Sequence, residues 1–178
     1  RTALERIKEG TGDRAARAYQ DRGFVPLDTL PVEMPEKKDW FKEEIVTEFS
    51  DENVEFFNKT VQLCKDNGIE VYVISTPLSD GAIYSYDALD TIHQKYSELC
   101  KKQGVPFYNF SLVKGKSELF PDWYAFCDRN HIGIEKADEF TKLLADTISR
   151  ARKGEDVSDS FYDSFSAYVV ANSTNIAG

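Results

Sequence analysis

Two hydrophobic periods alternate through the central hundred residues. Val54, Phe57, Val61 and Cys64 recur at the spacing of one helical face, behind Ser50, whose hydroxyl suits an N-cap. The pattern predicts a helix from Ser50 to Asn67, closed by Gly68, a residue suited to the left-handed position beyond a helix end. Ile69 to Ser75 is then nearly continuous in apolarity and rich in β-branched residues, the signature of a strand covered on both faces in a parallel sheet. Pro77 ends it. The same order returns 36 residues later, where Cys100-Lys101-Lys102-Gln103-Gly104-Val105 aligns with Cys64-Lys65-Asp66-Asn67-Gly68-Ile69. It follows a helix predicted over Asp87–Gln103, with Leu89, Ile92, Tyr96, Leu99 and Cys100 in a stripe, and precedes a shorter strand over Val105–Phe110. Two helix–Gly–strand junctions predict adjacent parallel strands joined by right-handed crossovers.

A third helix is predicted from Gly133 to Arg152, with Ile134, Ala137, Phe140, Leu144 and Ile148 inward and Gly154 behind it. Arg150, Arg152 and Lys153 near its end suit the negative pole of the helix dipole. The flanks are less regular. Residues 1–49 read as an irregular N-terminal segment with short helices: helical spacing over Thr2–Gln20 is broken at Gly10-Thr11-Gly12. Pro26, Pro31 and Pro35 then keep Phe24–Pro35 extended or irregular. Residues 50–154 form the α/β part. Residues 155–178 form a tail, with Tyr168-Val169-Val170 as a candidate short strand.

Composition narrows the function classes. In 178 residues there are 31 acidic and 22 basic side chains, for a net charge of −9. Such a chain repels phosphate backbones, so nucleic acid is not an expected partner. The apolar runs, such as Val71–Ile74, are far shorter than the roughly 20 residues a membrane-spanning helix needs, so no membrane span is expected. The three cysteines, Cys64, Cys100 and Cys127, cannot all pair and form no CxxC, so neither a disulfide framework nor a cysteine zinc site is indicated. Two histidines remain as candidate bases, His93 and His131. His93 reads as a helix-surface residue, and the rings of Phe56, Phe57 and Tyr96 read as core.

The informative stretch is Trp123 to Gly133, between a predicted parallel strand and a predicted helix. Loops beyond the carboxyl ends of parallel strands are where such sheets bind ligands. Asp128 precedes His131 by three residues, so its carboxylate can reach a ring nitrogen, fix the tautomer and leave the other nitrogen as a general base. The following helix N-terminus disfavours a charged ring. The same spacing also fits a capping or backbone-bonded histidine and a turn carboxylate.

The order of elements over residues 50–165, the run Phe126-Cys127-Asp128-Arg129-Asn130-His131, and Ala137, Phe140, Thr141, Leu144 and Ala145 on the next helix together resemble the C-terminal half of an SGNH (GDSL-like) hydrolase. The likeness is nearest to bacterial cell-surface members around the D-alanyl transfer protein of teichoic acid synthesis. Lys136 stands where a Gly commonly precedes the helix alanine. The resemblance implies a three-layer, flavodoxin-like parallel sheet with flanking helices, incomplete in this chain. It implies Asp128 and His131 as catalytic residues of a serine hydrolase or acyltransferase, and an ester or acylated glycan of the cell envelope as substrate. No metal or organic cofactor is implied, and the setting it implies is extracellular or on a bacterial cell surface.

The nucleophile is not identified. No Gly-Asp-Ser turn occurs; Gly12-Asp13-Arg14 is the nearest sequence, and Ser75, Ser79 and Ser111 lack the context, although Ser79 follows a strand end. The expectation is therefore a chain that supplies the acid–base half of a triad, partnered by a missing N-terminal half of the same protein. The alternative is a non-catalytic α/β interaction module of the same ancestry.

Overall fold

A computed structural model describes residues 27–173. The predicted helix between Thr2 and Gln20 lies outside these residues. Within them are six α-helices and a two-stranded parallel sheet. In chain order the elements are α1 (Asp51–Asp66), β1 (Val73–Ser75), α2 (Asp80–Ser85), α3 (Leu89–Gln103), β2 (Phe107–Asn109), α4 (Lys116–Leu119), α5 (Ile134–Arg152) and α6 (Phe165–Asn172). Residues 27–36 are without regular structure, as their prolines require.

The junction grammar forms as expected. The Ser50 hydroxyl accepts from the Asn53 N–H and caps α1. Gly68 and Gly104 both take positive φ, +67° and +60°, where a side chain would be strained. β1 and β2 then pair in parallel, Val73 with Phe107, Ile74 with Tyr108 and Ser75 with Asn109. The ladder is shorter than the apolar runs. Ile69–Tyr72 and Val105–Pro106 lie outside it, and Pro106 contributes only its carbonyl, which accepts from the Val73 N–H at 3.0 Å.

Helix faces sort as their spacing predicts in α1, where Val61 is buried and Val54, Phe57 and Cys64 are half-buried. Phe56 is an exception: it belongs to a different face of the helix and is 59% exposed. Tyr96 is also partly exposed, with one side of its ring against Phe49 and Phe107. Phe140 of α5 meets Phe110 edge-on at 5.3 Å and Phe120 at 6.3 Å, joining α5 to the cluster of Phe120, Ala125 and Phe126. A second cluster gathers Ile83, Tyr84, Leu89, Leu112, Phe165 and Tyr168.

Two further expectations are corrected. Tyr168-Val169-Val170 is helical, inside α6. The Ser164 hydroxyl caps that helix through the Ala167 N–H, and the Asp90 carboxylate on α3 accepts from the Phe165 and Ser166 N–H groups. A carboxylate from a distant helix thus takes up N–H groups that a lone eight-residue helix would leave open. His93 is not a plain surface residue. It sits half-buried between the rings of Phe107 and Phe165, its Nδ1 3.2 Å from the Asn109 side-chain amide. Burial lowers its pKa below the ordinary histidine value, against the opposing pull of Asp90.

Candidate active site

Asp128 and His131 share one tight loop. The loop closes on itself through an antiparallel bridge between Phe126 and Ile132, with the Cys127 N–H donating to the His131 carbonyl and the Gly133 N–H to that of Ala125. Inside it, Asp128 Oδ1 accepts from the backbone N–H of Asn130 at 2.7 Å and of His131 at 2.9 Å. The aspartate thereby folds its own turn. Both of its oxygens also lie 2.9 Å from His131 Nδ1.

The electrostatics assign the proton. Partial burial raises the Asp128 pKa, but the Asn130 N–H, the His131 ring and the His131 N–H outweigh it and hold the carboxyl below the usual range. An ionised carboxylate only accepts hydrogen bonds, so Nδ1 carries the hydrogen. In the neutral ring Nε2 is then the free acceptor. The His131 side chain is 69% exposed, so that nitrogen is open to a reacting group. Asp128 therefore orients the His131 ring as well as folding its own turn.

Contacts from elsewhere in the chain hold the loop in place on two sides. On one side the strap Leu27–Val32 runs beside it. Ile134 N–H donates to the Leu27 carbonyl, Leu30 N–H to that of Phe126 and Val32 N–H to that of Asp122. Gly133 allows this approach, because a Cβ there would lie 2.3 Å from Thr29 Cγ2. On the other side, the Ser79 N–H donates to the Arg129 carbonyl at 3.1 Å. Ser79 lies four residues beyond β1, so the loop stands at the carboxyl end of the sheet. Arg129 also pairs with Glu43 at 2.5 Å.

Ser79 and Ser111, two of the serines that lack a nucleophile's sequence context, have hydroxyls occupied by the fold. Ser79 is fully buried and its hydroxyl caps α2 through the Ala82 N–H. Ser111 is fully buried as well, donating to the Thr76 carbonyl and accepting from the Leu78 N–H. Among the described residues no hydroxyl is hydrogen-bonded to the His131 ring.

Behind α2 lies a cluster that spacing along the chain does not reveal. Lys116 Nζ, with no side-chain exposure, sits 2.8 Å from Asp80 Oδ1 and 2.9 Å from the Leu78 carbonyl. The Tyr168 hydroxyl donates to the same Asp80 oxygen and lies 2.8 Å from Ser117 Oγ. Asp122 accepts from the Asp80 and Gly81 N–H groups, both at 2.7 Å. Burial raises the Asp122 pKa, partly offset by those two donors. Tyr84 is buried nearby, its hydroxyl unpartnered among the described residues; burial and then Asp80 push its pKa up to about 12. The one hint in the sequence was a lysine between a glycine turn and a hydrophobic pair, too common a pattern to signal burial.

Among the described residues no group of three or more metal-ligating side chains gathers, and no helix is long and apolar enough to cross a membrane. Comparison with protein-family models gives no match. Neither curated proteins nor solved structures yield one.

Proposed function

We propose that this chain supplies the acid–base half of an SGNH-type serine hydrolase or acyltransferase acting on an ester, with O-acyl groups of a cell-envelope polymer as the substrate class. The observation that carries the reading is the Asp128–His131 pair, with Nδ1 held by the carboxylate and Nε2 open at the carboxyl end of a parallel sheet. In the reaction, His131 Nε2 takes the proton of a serine hydroxyl supplied from outside the described residues. The hydroxyl oxygen attacks the ester carbonyl, and His131 returns the proton to the leaving alcohol. Asp128 holds the tautomer and stabilises the transient imidazolium. The two strands belong, on this reading, to a larger three-layer sheet with helices on both faces.

The test compares the isolated 178-residue chain with the product of the full reading frame on a short-chain aryl ester. The isolated chain shows no turnover. In the full product, His131→Ala and Asp128→Asn lower kcat strongly with less effect on KM. Robust turnover by the isolated chain, abolished by Ser79→Ala, overturns the missing-nucleophile reading, and undiminished turnover in His131→Ala overturns the whole.

The second reading is a non-catalytic interaction module. It is favoured by large apolar side chains at the surface, among them Val46 at 84%, Leu63 at 64% and Trp123 at 70% exposure. An inert full product that still binds a partner through these side chains would support it.

A further inference from the structure

The hydrogen on the His93 ring is placed by a contact that the ring itself does not make. The Ser111 N–H donates to Asn109 Oδ1 at 3.1 Å. A backbone N–H only donates, so Oδ1 faces Ser111 and the Asn109 NH2 faces His93 Nδ1, 3.2 Å away. An amide NH2 also only donates. Nδ1 is therefore the acceptor, and the neutral ring carries its hydrogen on Nε2, the opposite tautomer to His131. Protonation sets an N–H on Nδ1 against the Asn109 NH2. Turning the amide over moves the same conflict to the Ser111 N–H. The charged ring and the Asn109 contact thus exclude each other.

The partner for a charged ring is Asp90, three residues earlier on α3 and so on the same helix surface. Its charge already opposes the effect of burial on the ring. With the ring neutral, Asp90 is committed to α6. It accepts from the Phe165 N–H at 2.6 Å, the Ser166 N–H at 3.1 Å and the Ser166 hydroxyl. The Phe165 ring stands edge-on to His93, with centroids 6.2 Å apart. The first turn of α6 therefore rests on both Asp90 and His93. Other charges reach the same region from the segment 154–163. Glu155, Asp156 and Asp163 line the cavity that His93 shares with Tyr108 and Tyr162. Glu155 is paired with Arg150, Asp156 accepts from the Ser158 N–H, and Lys114 lies over the Tyr162 ring. Asp90 is the carboxylate whose charge acts on the His93 ring.

We propose that His93 is a proton-operated latch on α6. The neutral ring stays on Asn109 and leaves Asp90 to hold the first turn of α6. The imidazolium leaves Asn109, pairs with Asp90 through its Nδ1–H and releases that turn. One proton from solvent is added at Nδ1, and no bond between heavy atoms forms or breaks. Burial holds the folded pKa below the ordinary histidine value, so the latch is closed at neutrality and opens in acid. Protonation favours the open form, so opening in turn raises the affinity of the ring for its proton. Tyr168, on the next turn of the same helix, donates to Asp80, so the latch borders the contact that ties α6 to the buried Lys116. The latch is independent of the hydrolase reading, since none of its members belongs to the His131 loop.

The test follows the 178-residue chain by NMR from about pH 7.5 to about pH 4.5. At the upper end the His93 Nδ1 resonance should be that of a bare ring nitrogen and Nε2 that of an N–H. As the ring titrates, hydrogen-exchange protection of the Phe165 and Ser166 amides should fall about fivefold, with the midpoint of the His93 ring, while the amides of α1 keep theirs. His93→Gln takes no proton and should hold that protection constant; the ring signal that remains in it is His131. Asp90→Asn forms no ion pair and should lose the pH dependence as well. Five outcomes overturn the proposal: a hydrogen on Nδ1 of the neutral ring, protection that does not change as His93 titrates, a midpoint different from that of the ring, or an undiminished fall in either variant, His93→Gln or Asp90→Asn. The first three are read on the unsubstituted chain, so they decide the matter even where a variant fails to fold.

Discussion

Two of the carboxylate–base pairs among the described residues are opposite in design. Asp128 and His131 lie in an exposed loop, 53% and 69% exposed, and each retains capacity for a further partner. Asp80, the first residue of α2, and Lys116 are 13% and 0% exposed, and Lys116 and the tyrosine on Asp80 are committed to partners within the fold. An exposed pair contributes little to stability because water and ions screen it. A buried pair locks its surroundings, because removing one member strands the other charge away from water. The proposed chemistry therefore rests on the first pair. The second ties α2, α4 and α6 into the platform on which the first stands.

That contrast is broken most decisively by removing one buried charge. Lys116→Ala should cost about 3–5 kcal/mol in urea unfolding, since it leaves Asp80 uncompensated. His131→Ala, at an exposed position, should stay within roughly 0.5 kcal/mol. Equal costs for the two would erase the distinction. Phe140→Ala should fall near the lower end of the about 3–5 kcal/mol seen for truncated aromatics, because the ring is half-buried against Phe110 and Phe120. A melting shift worth less than about 1 kcal/mol would show that this face of α5 is not core.

The support of the exposed loop is sharpened by a compensating pair. Gly133→Ala sets a new methyl against Thr29 and should cost about 1–3 kcal/mol while disturbing the NMR signals of the His131 ring. Adding Thr29→Ala removes the clashing Cγ2 and should restore part of both readings, since Thr29 Cα and Cβ stay 3.2 and 3.3 Å from the new methyl. A Gly133→Ala protein with unaltered ring signals would show that the Leu27–Val32 strap does not position the loop. Ser79→Ala removes only the cap of α2 and should cost about 1 kcal/mol.

The smallest effects are in the pH profile. His93 is held neutral by burial, so its folded pKa lies below its unfolded value near about 6.5. Its contribution to stability is complete above that unfolded value and is lost as pH falls through the folded one. His93→Gln should flatten this slope in denaturation series taken below neutrality. Asp128 has a depressed folded pKa, so its contribution is present above its unfolded value of about 3.9 and fades as pH falls through the folded value. Asp128→Asn should remove that acid-limb component, and an unchanged limb would show that the carboxylate is not held by its loop.

Local rules were sufficient wherever one short segment supplied all the physics. Ser50 capped α1, Gly68 and Gly104 ended helices at positive φ, and the two following apolar runs paired in parallel. The Asp128–His131 contact was legible for the same reason: three residues of turn bring the carboxylate to the ring whatever the rest of the chain does. Tertiary structure decided everything that depended on a distant partner. Tyr168-Val169-Val170 has the composition of a strand, yet Asp90 on α3 caps it into a helix whose Tyr168 reaches Asp80. His93 has the sequence context of a surface residue, yet Phe107, Asn109 and Phe165 enclose it. Lys116 is charged and stands directly behind a glycine turn, yet it is buried because Asp80, Leu78 and Tyr168 converge on its ammonium. A hydrophobic period records which face of a segment leaves water, whereas a buried charge depends on partners more than thirty residues away, and no local spacing encodes them.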